Sequence, residues 1–266
     1  MQPEPLYHSA GVRAAFELRY SWTAWPSCPT LAEERGVLDE LRPLWEADGL
    51  RMLEHSWTNE SVQAVFSTTP AVSPVFLAAR AKGRLQHALK AVPTFPGFSR
   101  KVSVRSLGHN VRQDVERYIA SQVDAARFAD PATAALVKEF TVVCGDVDLS
   151  APTESAHGRY WHNLHLVLVT AERHRSVDRA RLATLRDWSF RIAEKKGYRI
   201  SRLAVMPDHL HAALRGNIQQ SPQEIALAFQ NNLAYALGQV RIWTDSFYVG
   251  TFGEYHMGGV RRPRSL

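Results

Sequence analysis

The stretch Leu203-Ala-Val-Met-Pro-Asp-His-Leu-His-Ala-Ala-Leu214 decides how the chain is read. An apolar, strand-like run stops at Met206-Pro207-Asp208, and a second strand begins there, carrying His209 and His211. Side chains alternate faces along a strand, so two histidines two positions apart project together while Leu210 points into a core. Such a pair is a two-imidazole clamp for a metal ion, although in a chain with 11 histidines one His-x-His carries little weight alone.

Working outward, the 266 residues are 45% hydrophobic, enough to bury a core as one large domain or two small ones. No apolar run approaches the ~20 residues of a membrane span. Met1-Gln-Pro-Glu-Pro has neither the basic start nor the apolar stretch of a signal peptide. Cys28 and Cys144 are far apart and lack ligand spacing, which points to reduced thiols and a cytoplasmic location. The net charge of +6 divides into +2 over residues 1–123, −4 over 124–157 and +8 over 158–266. The basic last part, with Arg173, Arg175, Arg179 and Arg181, suits a polyanion such as nucleic acid.

Taken in order, alternation over 13–26 predicts a half-buried strand, and 31–47 an amphipathic helix kinked near Pro43. Strands follow at 51–57 and 62–67, a helix opened by Ser73-Pro74 runs to Leu89, and a strand at 101–106 precedes a helix over 111–123. The second half repeats this order. Strands are expected at 161–170, 199–205, 210–214 and 247–251, with helices at 178–196 and from Ser221-Pro222 to Leu237. Laid over itself at an offset of 148, the chain matches Gly49 with Gly197, Ala64 with Ala212, Ser73-Pro74 with Ser221-Pro222, and Leu85 with Leu233. An offset of 145 matches Ser106-Leu107-Gly108 with Thr251-Phe252-Gly253.

We therefore read a tandem duplication of one β-α-β-β-α-β-α unit, residues 1–123 and 158–266, around an acidic connector, 124–157, with its own helix near 133–140. The fold class is α+β. Each unit has the order of a ferredoxin-like, split β-α-β domain, an antiparallel sheet with helices on one face, and the two are expected to pack as an intramolecular pseudo-dimer.

The duplication shows where the chemistry sits. His209 and His211 face Ser61 and Gln63 of the first unit, which has no imidazoles there; Tyr118 faces Pro263, and Gln122 has no counterpart. Val205-Met-Pro-Asp-His-Leu-His, a Ser-Pro-initiated helix, a strand ending in Ser/Thr-x-Gly, and a helix carrying Tyr-Ile-x-x-Gln together resemble the single-tyrosine HUH transposases, of the insertion sequence 200-like and REP-associated groups. The resemblance spans both units. It implies that His209, His211 and Gln122 hold Mg²⁺ or Mn²⁺ and that Tyr118 attacks a phosphodiester of single-stranded DNA, commonly near a hairpin, leaving a 5′-phosphotyrosine and a free 3′-hydroxyl. Family dimers pair the histidines of one subunit with the tyrosine helix of the other. The complementary losses here then leave one composite site, if the Tyr118 helix docks in trans onto the second sheet.

Other candidates rank lower. His162 and His165, at a strand start, could touch DNA but read better as a cap and a surface residue, and Tyr248 and Tyr255 do not align with Tyr118. Tyr160, Trp161 and Trp243 are candidates for stacking on bases. One site per chain departs from a family dimer with two; a dimer of pseudo-dimers would restore the second. A non-catalytic or domesticated hairpin-binding protein for DNA or RNA is the alternative, and a metal-dependent hydrolase unrelated to DNA is a third reading.

Overall fold

The computed structural model describes residues 4–28, 36–238 and 241–254. The elements run β1 (Arg13–Glu17), β2 (Arg19–Pro26), α1 (Val37–Ala47), β3 (Leu50–Trp57), β4 (Val62–Thr68), α2 (Pro74–Leu89), β5 (Phe98–Leu107), α3 (Arg112–Ala120), α4 (Gln122–Ala125), α5 (Pro131–Lys138) and β6 (Thr141–Val143). Then come β7 (Thr153–Ser155), β8 (Gly158–Trp161), β9 (Asn163–Val169), α6 (Arg179–Lys196), β10 (Arg199–Val205), β11 (His209–Arg215), α7 (Pro222–Ala236) and β12 (Ser246–Thr251). The expected start of the first helix at Leu31, and Tyr255 and Pro263, lie outside the described residues.

The chain is α+β, with two six-stranded sheets ordered β3-β4-β2-β5-β8-β7 and β10-β11-β9-β12 flanked by β6 and β1. The four central strands of each sheet are antiparallel and have the same order and connections, those of a split β-α-β unit. Even an irregularity recurs: β3 bulges between Met52 and Glu54, and β10 bulges between Ile200 and Arg202. Local chemistry explains the helix starts. Ser73 and Ser221 each accept a backbone N–H of the first turn and are each followed by proline, and Ser221 forms a reciprocal capping box with Glu224. Gly197 ends α6 in the left-handed conformation, φ 74°.

The expectation of purely antiparallel sheets needs correction. The single strand expected over 13–26 is divided at Leu18, and β1 pairs in parallel with β12 of the second sheet, while β2 belongs to the first. The strand expected over 161–170 is likewise divided at His162, with β8 parallel to β5 of the first sheet and β9 central in the second. Apolar alternation reports which residues are half-buried, but not which neighbour an edge strand pairs with. The connector also supplies structure: β6 adds to the edge of β10, and β7 to β8, so each sheet has one edge closed by residues between the two halves.

Reciprocal hydroxyl bonds hold the crossings. Ser106 Oγ accepts the N–H of Asn163 (3.2 Å) and donates to the carbonyl of Phe252 (2.7 Å); Thr251 Oγ1 accepts the N–H of Arg19 (2.8 Å) and donates to the carbonyl of Leu107 (2.6 Å). From this junction α3 leaves the first sheet and packs on β10 and β11 of the second. Val115 and Ile119 of α3, with Leu149, bury against Ala204, Ala213 and Phe252. Alanine on both strands lets the helix approach. Buried Glu116 adds a polar anchor, with Arg112 at 3.1 Å and Arg202 of β10 at 3.8 Å. No helix among the described residues is long and apolar enough to cross a membrane.

Two expectations follow. Ala213→Leu forces extra volume under Val115 and Ile119 and should cost about 1–3 kcal/mol by urea unfolding, whereas a cost near zero would mean that α3 does not bear on Ala213. His162 is fully buried with Nδ1 3.0 Å from the Tyr20 hydroxyl, and lost solvation pushes its pKa down to about 3. A pKa depressed on folding contributes stability that is complete above the unfolded value and is lost as pH falls towards the folded one. Between pH 6.5 and 3 this group should therefore lower the unfolding free energy by up to about 1.4 kcal/mol per pH unit. His162→Asn should flatten that slope, and an unchanged slope would assign it to other groups.

Candidate active site

The site begins with the turn between β10 and β11. The N–H of Met206 donates to the carbonyl of His209 (2.8 Å), which closes the turn around Pro207 and Asp208. Alternation then sends Leu210 to the core and His211 to the opposite face. The His209 and His211 ring centroids lie 4.9 Å apart with planes at 87°, and His209 Nδ1 is 2.6 Å from Asp208 Oδ1. In a neutral imidazole that donates through Nδ1, Nε2 keeps its lone pair.

The register of β9 against β11 puts His165 opposite Ala213, diagonal to His211. Its Nε2 is 3.0 Å from His211 Nδ1, and the two rings stack at 5.3 Å and 21°. His165 was expected to be a surface residue; it is half-buried within the histidine cluster. The available signal was parity, because with Leu164, Leu166 and Leu168 facing the core, His165 must face the other side, as His211 does. Tyr248 obeys the same parity between core-facing Phe247 and Val249, and its ring lies 5.7 Å from that of His165.

Tyr118 reaches this cluster from the other half of the chain. Its ring stands edge-on to His211 at 5.6 Å and to His165 at 6.0 Å, and its side chain is 51% exposed. The helix expected to run unbroken over 111–123 stops at Ser121, whose Oγ donates to the Tyr118 carbonyl, and α4 begins at Gln122. Gln122 is 8% exposed, and its Nε2 donates to the same carbonyl (3.0 Å). Its Oε1 has no hydrogen-bond partner among the described residues.

Burial sets the electrostatics. Desolvation pushes the pKa of His165 down to about 4 and, with His165 and His209 nearby, that of His211 to about 2, so both rings are neutral at pH 7. Burial raises the pKa of Tyr248, and Glu17 and Tyr118 raise it further. Arg173 and Arg175 flank the outer side, 3.7 and 4.0 Å from Asp208 Oδ2, on a loop where Glu172 and Arg173 both have φ 54°. This loop is tied to the turn by bonds from the Thr170 N–H and hydroxyl to the Asp208 carbonyl and from the Ser176 N–H to that of Pro207.

Other sequence candidates fall elsewhere. Tyr160, Trp161 and Trp243 are buried, Trp161 donating to the Ser150 carbonyl beneath Arg105, so none presents a face for a base. On the first sheet, Ser21 and Gln63 occupy the places of His165 and His211, and Gln63 Nε2 donates to Ser21 Oγ at 2.8 Å. Among the described residues no group of three or more His, Cys, Asp or Glu side chains is arranged to hold a metal ion.

Among solved structures, the chain is similar to a "putative transposase" from Deinococcus radiodurans R1, with 24% identity over 33% of this chain and 75% of that one, TM-score 0.28. It is also similar to aspartate kinase from Clostridium acetobutylicum, with 8% identity over 83% of this chain and 33% of that one, TM-score 0.22. Neither superposition is close enough to carry fold or function over. No curated protein matches the chain. Residues 159–262, which contain β9 to β12 and both clamp histidines, match the family model described as Transposase IS200 like.

Proposed function

We propose that this protein nicks single-stranded DNA and transfers the cut strand, with Tyr118 as nucleophile at one composite site shared by the two halves of a duplicated, fused pseudo-dimer. One observation carries the reading: the exposed Tyr118 ring stands 5.6 Å from that of His211, although the two are 93 positions apart in sequence and Tyr118 follows the last strand of the first four-stranded unit. The duplication is supported by the shared strand order, the bulges in equivalent places and the reciprocal bonds of Ser106 and Thr251. The units are residues 1–123 and 158–266, with 124–157 joining them.

In the proposed step the Tyr118 hydroxyl oxygen attacks a backbone phosphorus, the P–O3′ bond breaks, and the tyrosine proton is lost as the departing 3′-oxygen gains one. The products are a 5′-phosphotyrosine and a free 3′-hydroxyl, which retain the bond energy for religation. His209, His211 and Gln122 would hold the metal: two imidazoles with Nδ1 occupied and an amide Oε1 without a partner among the described residues offer three donors to a divalent ion. Mg²⁺ or Mn²⁺ bound there would withdraw charge from the non-bridging oxygens. Arg173 and Arg175, largely exposed beside the clamp, bind the flanking phosphates. Hairpin ends of single-stranded DNA are the proposed substrate, and the two free cysteines suit action in the cytoplasm.

A labelled single-stranded oligonucleotide carrying a hairpin should form a covalent, denaturation-resistant adduct with the wild-type protein in Mg²⁺ or Mn²⁺. Tyr118→Phe should abolish it, and His211→Ala should reduce it at least 100-fold. An adduct that survives Tyr118→Phe would overturn the assignment, and a salt-sensitive complex with no adduct would leave a hairpin-binding protein. In the Tyr118→Phe background, replacing Arg173 and Arg175 by alanine should make the log–log salt dependence of DNA affinity shallower by about 1.4, about 0.7 for each phosphate no longer neutralised. An unchanged slope would assign phosphate binding to other cations.

A further inference from the structure

We propose that His165 is a positioning residue: its Nε2 accepts the Nδ1 proton of His211 and so fixes the tautomer in which His211 Nε2 presents its lone pair to the site. This inference rests on the metal reading of His209 and His211 given above, and adds to it a neighbour that selects the ligating form.

A hydrogen bond between two neutral imidazoles has two states. If His165 donates, the remaining proton of His211 sits on Nε2 and the ring cannot ligate through that atom. If His211 donates, its Nε2 is free. The bond itself is well formed, at 3.0 Å between His165 Nε2 and His211 Nδ1. The rest of the cluster holds His165 in place, because the rings of Tyr118 and Tyr248 stand edge-on to it at 6.0 and 5.7 Å. Small residues leave it space, since its cross-strand partners are Ala213 on β11 and Gly250 on β12.

The neighbouring ligand is built the same way. His209 Nδ1 faces Asp208 Oδ1 at 2.6 Å, so each ring of the clamp is backed at Nδ1, one by a carboxylate and the other by an imidazole. Backing groups of this kind orient a metal-bound imidazole and set its tautomer. The first sheet shows that packing does not require the pair to be histidines: there the same two places hold Ser21 and Gln63, joined by a 2.8 Å bond, among well-packed strands. A role confined to stabilising the sheet would be met by such a pair.

The test uses the full chain and two readouts. In the metal-free protein, long-range proton–nitrogen correlation spectra of ¹⁵N-histidine report which nitrogen of His211 carries the proton, and calorimetry with Mn²⁺ reports affinity. Wild type should show His211 protonated at Nδ1, and His165→Ala should mix the tautomers and weaken Mn²⁺ binding about 10–100-fold. His165→Gln, whose amide oxygen can accept the same proton, should recover most of both, which a purely structural loss would not. A wild-type His211 protonated at Nε2, or His165→Ala with unchanged tautomer and Mn²⁺ affinity, would overturn the inference. If wild type binds no Mn²⁺, the metal reading fails, and the tautomer spectra still decide the role of His165.

Discussion

Two hydroxyl groups, on Ser106 and Thr251, fix how the halves of this molecule meet. Each accepts an amide proton from the strand that has just crossed over from the other sheet, and each donates to the carbonyl that follows the opposite hydroxyl. At that junction the backbones are too close for another side chain: a Cβ on Gly108 would lie 2.4 Å from the Thr251 carbonyl oxygen. The chain leaving β5 therefore runs against the end of β12, donates from the Arg112 N–H to the Gly253 carbonyl, and enters α3 already over the second sheet. The position of Tyr118 over the second sheet follows from this crossing more than from any attraction between the phenol and the imidazoles.

Much of this is legible in the sequence because its signals are local or periodic. Ser-Pro pairs start helices wherever they occur, and the offset of 148 by itself puts the two bulged strands in register. What the sequence hides depends on partners. Leu18 and His162 look like ordinary strand residues, yet the chain changes sheets at each, because an edge strand's partner is set by the whole assembly. The break at Ser121 is hidden for a related reason: two side chains, Ser121 and Gln122, compete for the Tyr118 carbonyl that a continuing helix would use. Trp161 and Trp243 mislead as stacking candidates because aromatic type does not reveal exposure, and both are buried.

The histidine cluster shows both sides of this limit. The i, i+2 pair on β11 can be read from one strand, but His165 belongs to the adjacent strand and joins only through register. Its side-chain parity is readable; its partner is not. The counterpart pair on the first sheet keeps a hydrogen bond of nearly the same length between a serine and a glutamine. One half can therefore lose its imidazoles without leaving a buried polar group unpaired, and the loss need not cost stability. A Ser–Gln pair and a His–His pair at these two places are both compatible with the same packed scaffold.

That scaffold also divides the electrostatic work. Burial would be costly for a charged ring and keeps His165 and His211 neutral, so each retains one nitrogen lone pair. Tyr118, carried in on a helix whose inner face is locked by Val115, Ile119 and the Glu116–Arg202 pair, stays half-exposed. Between them Asp208 joins two regimes: one oxygen orients His209 inside, and the other faces Arg173 and Arg175 in solvent. A phosphate arriving at those arginines would draw them from the carboxylate, leaving Asp208 held more by His209 alone. A carboxylate released from the arginines would polarise that imidazole more strongly than one shared with them.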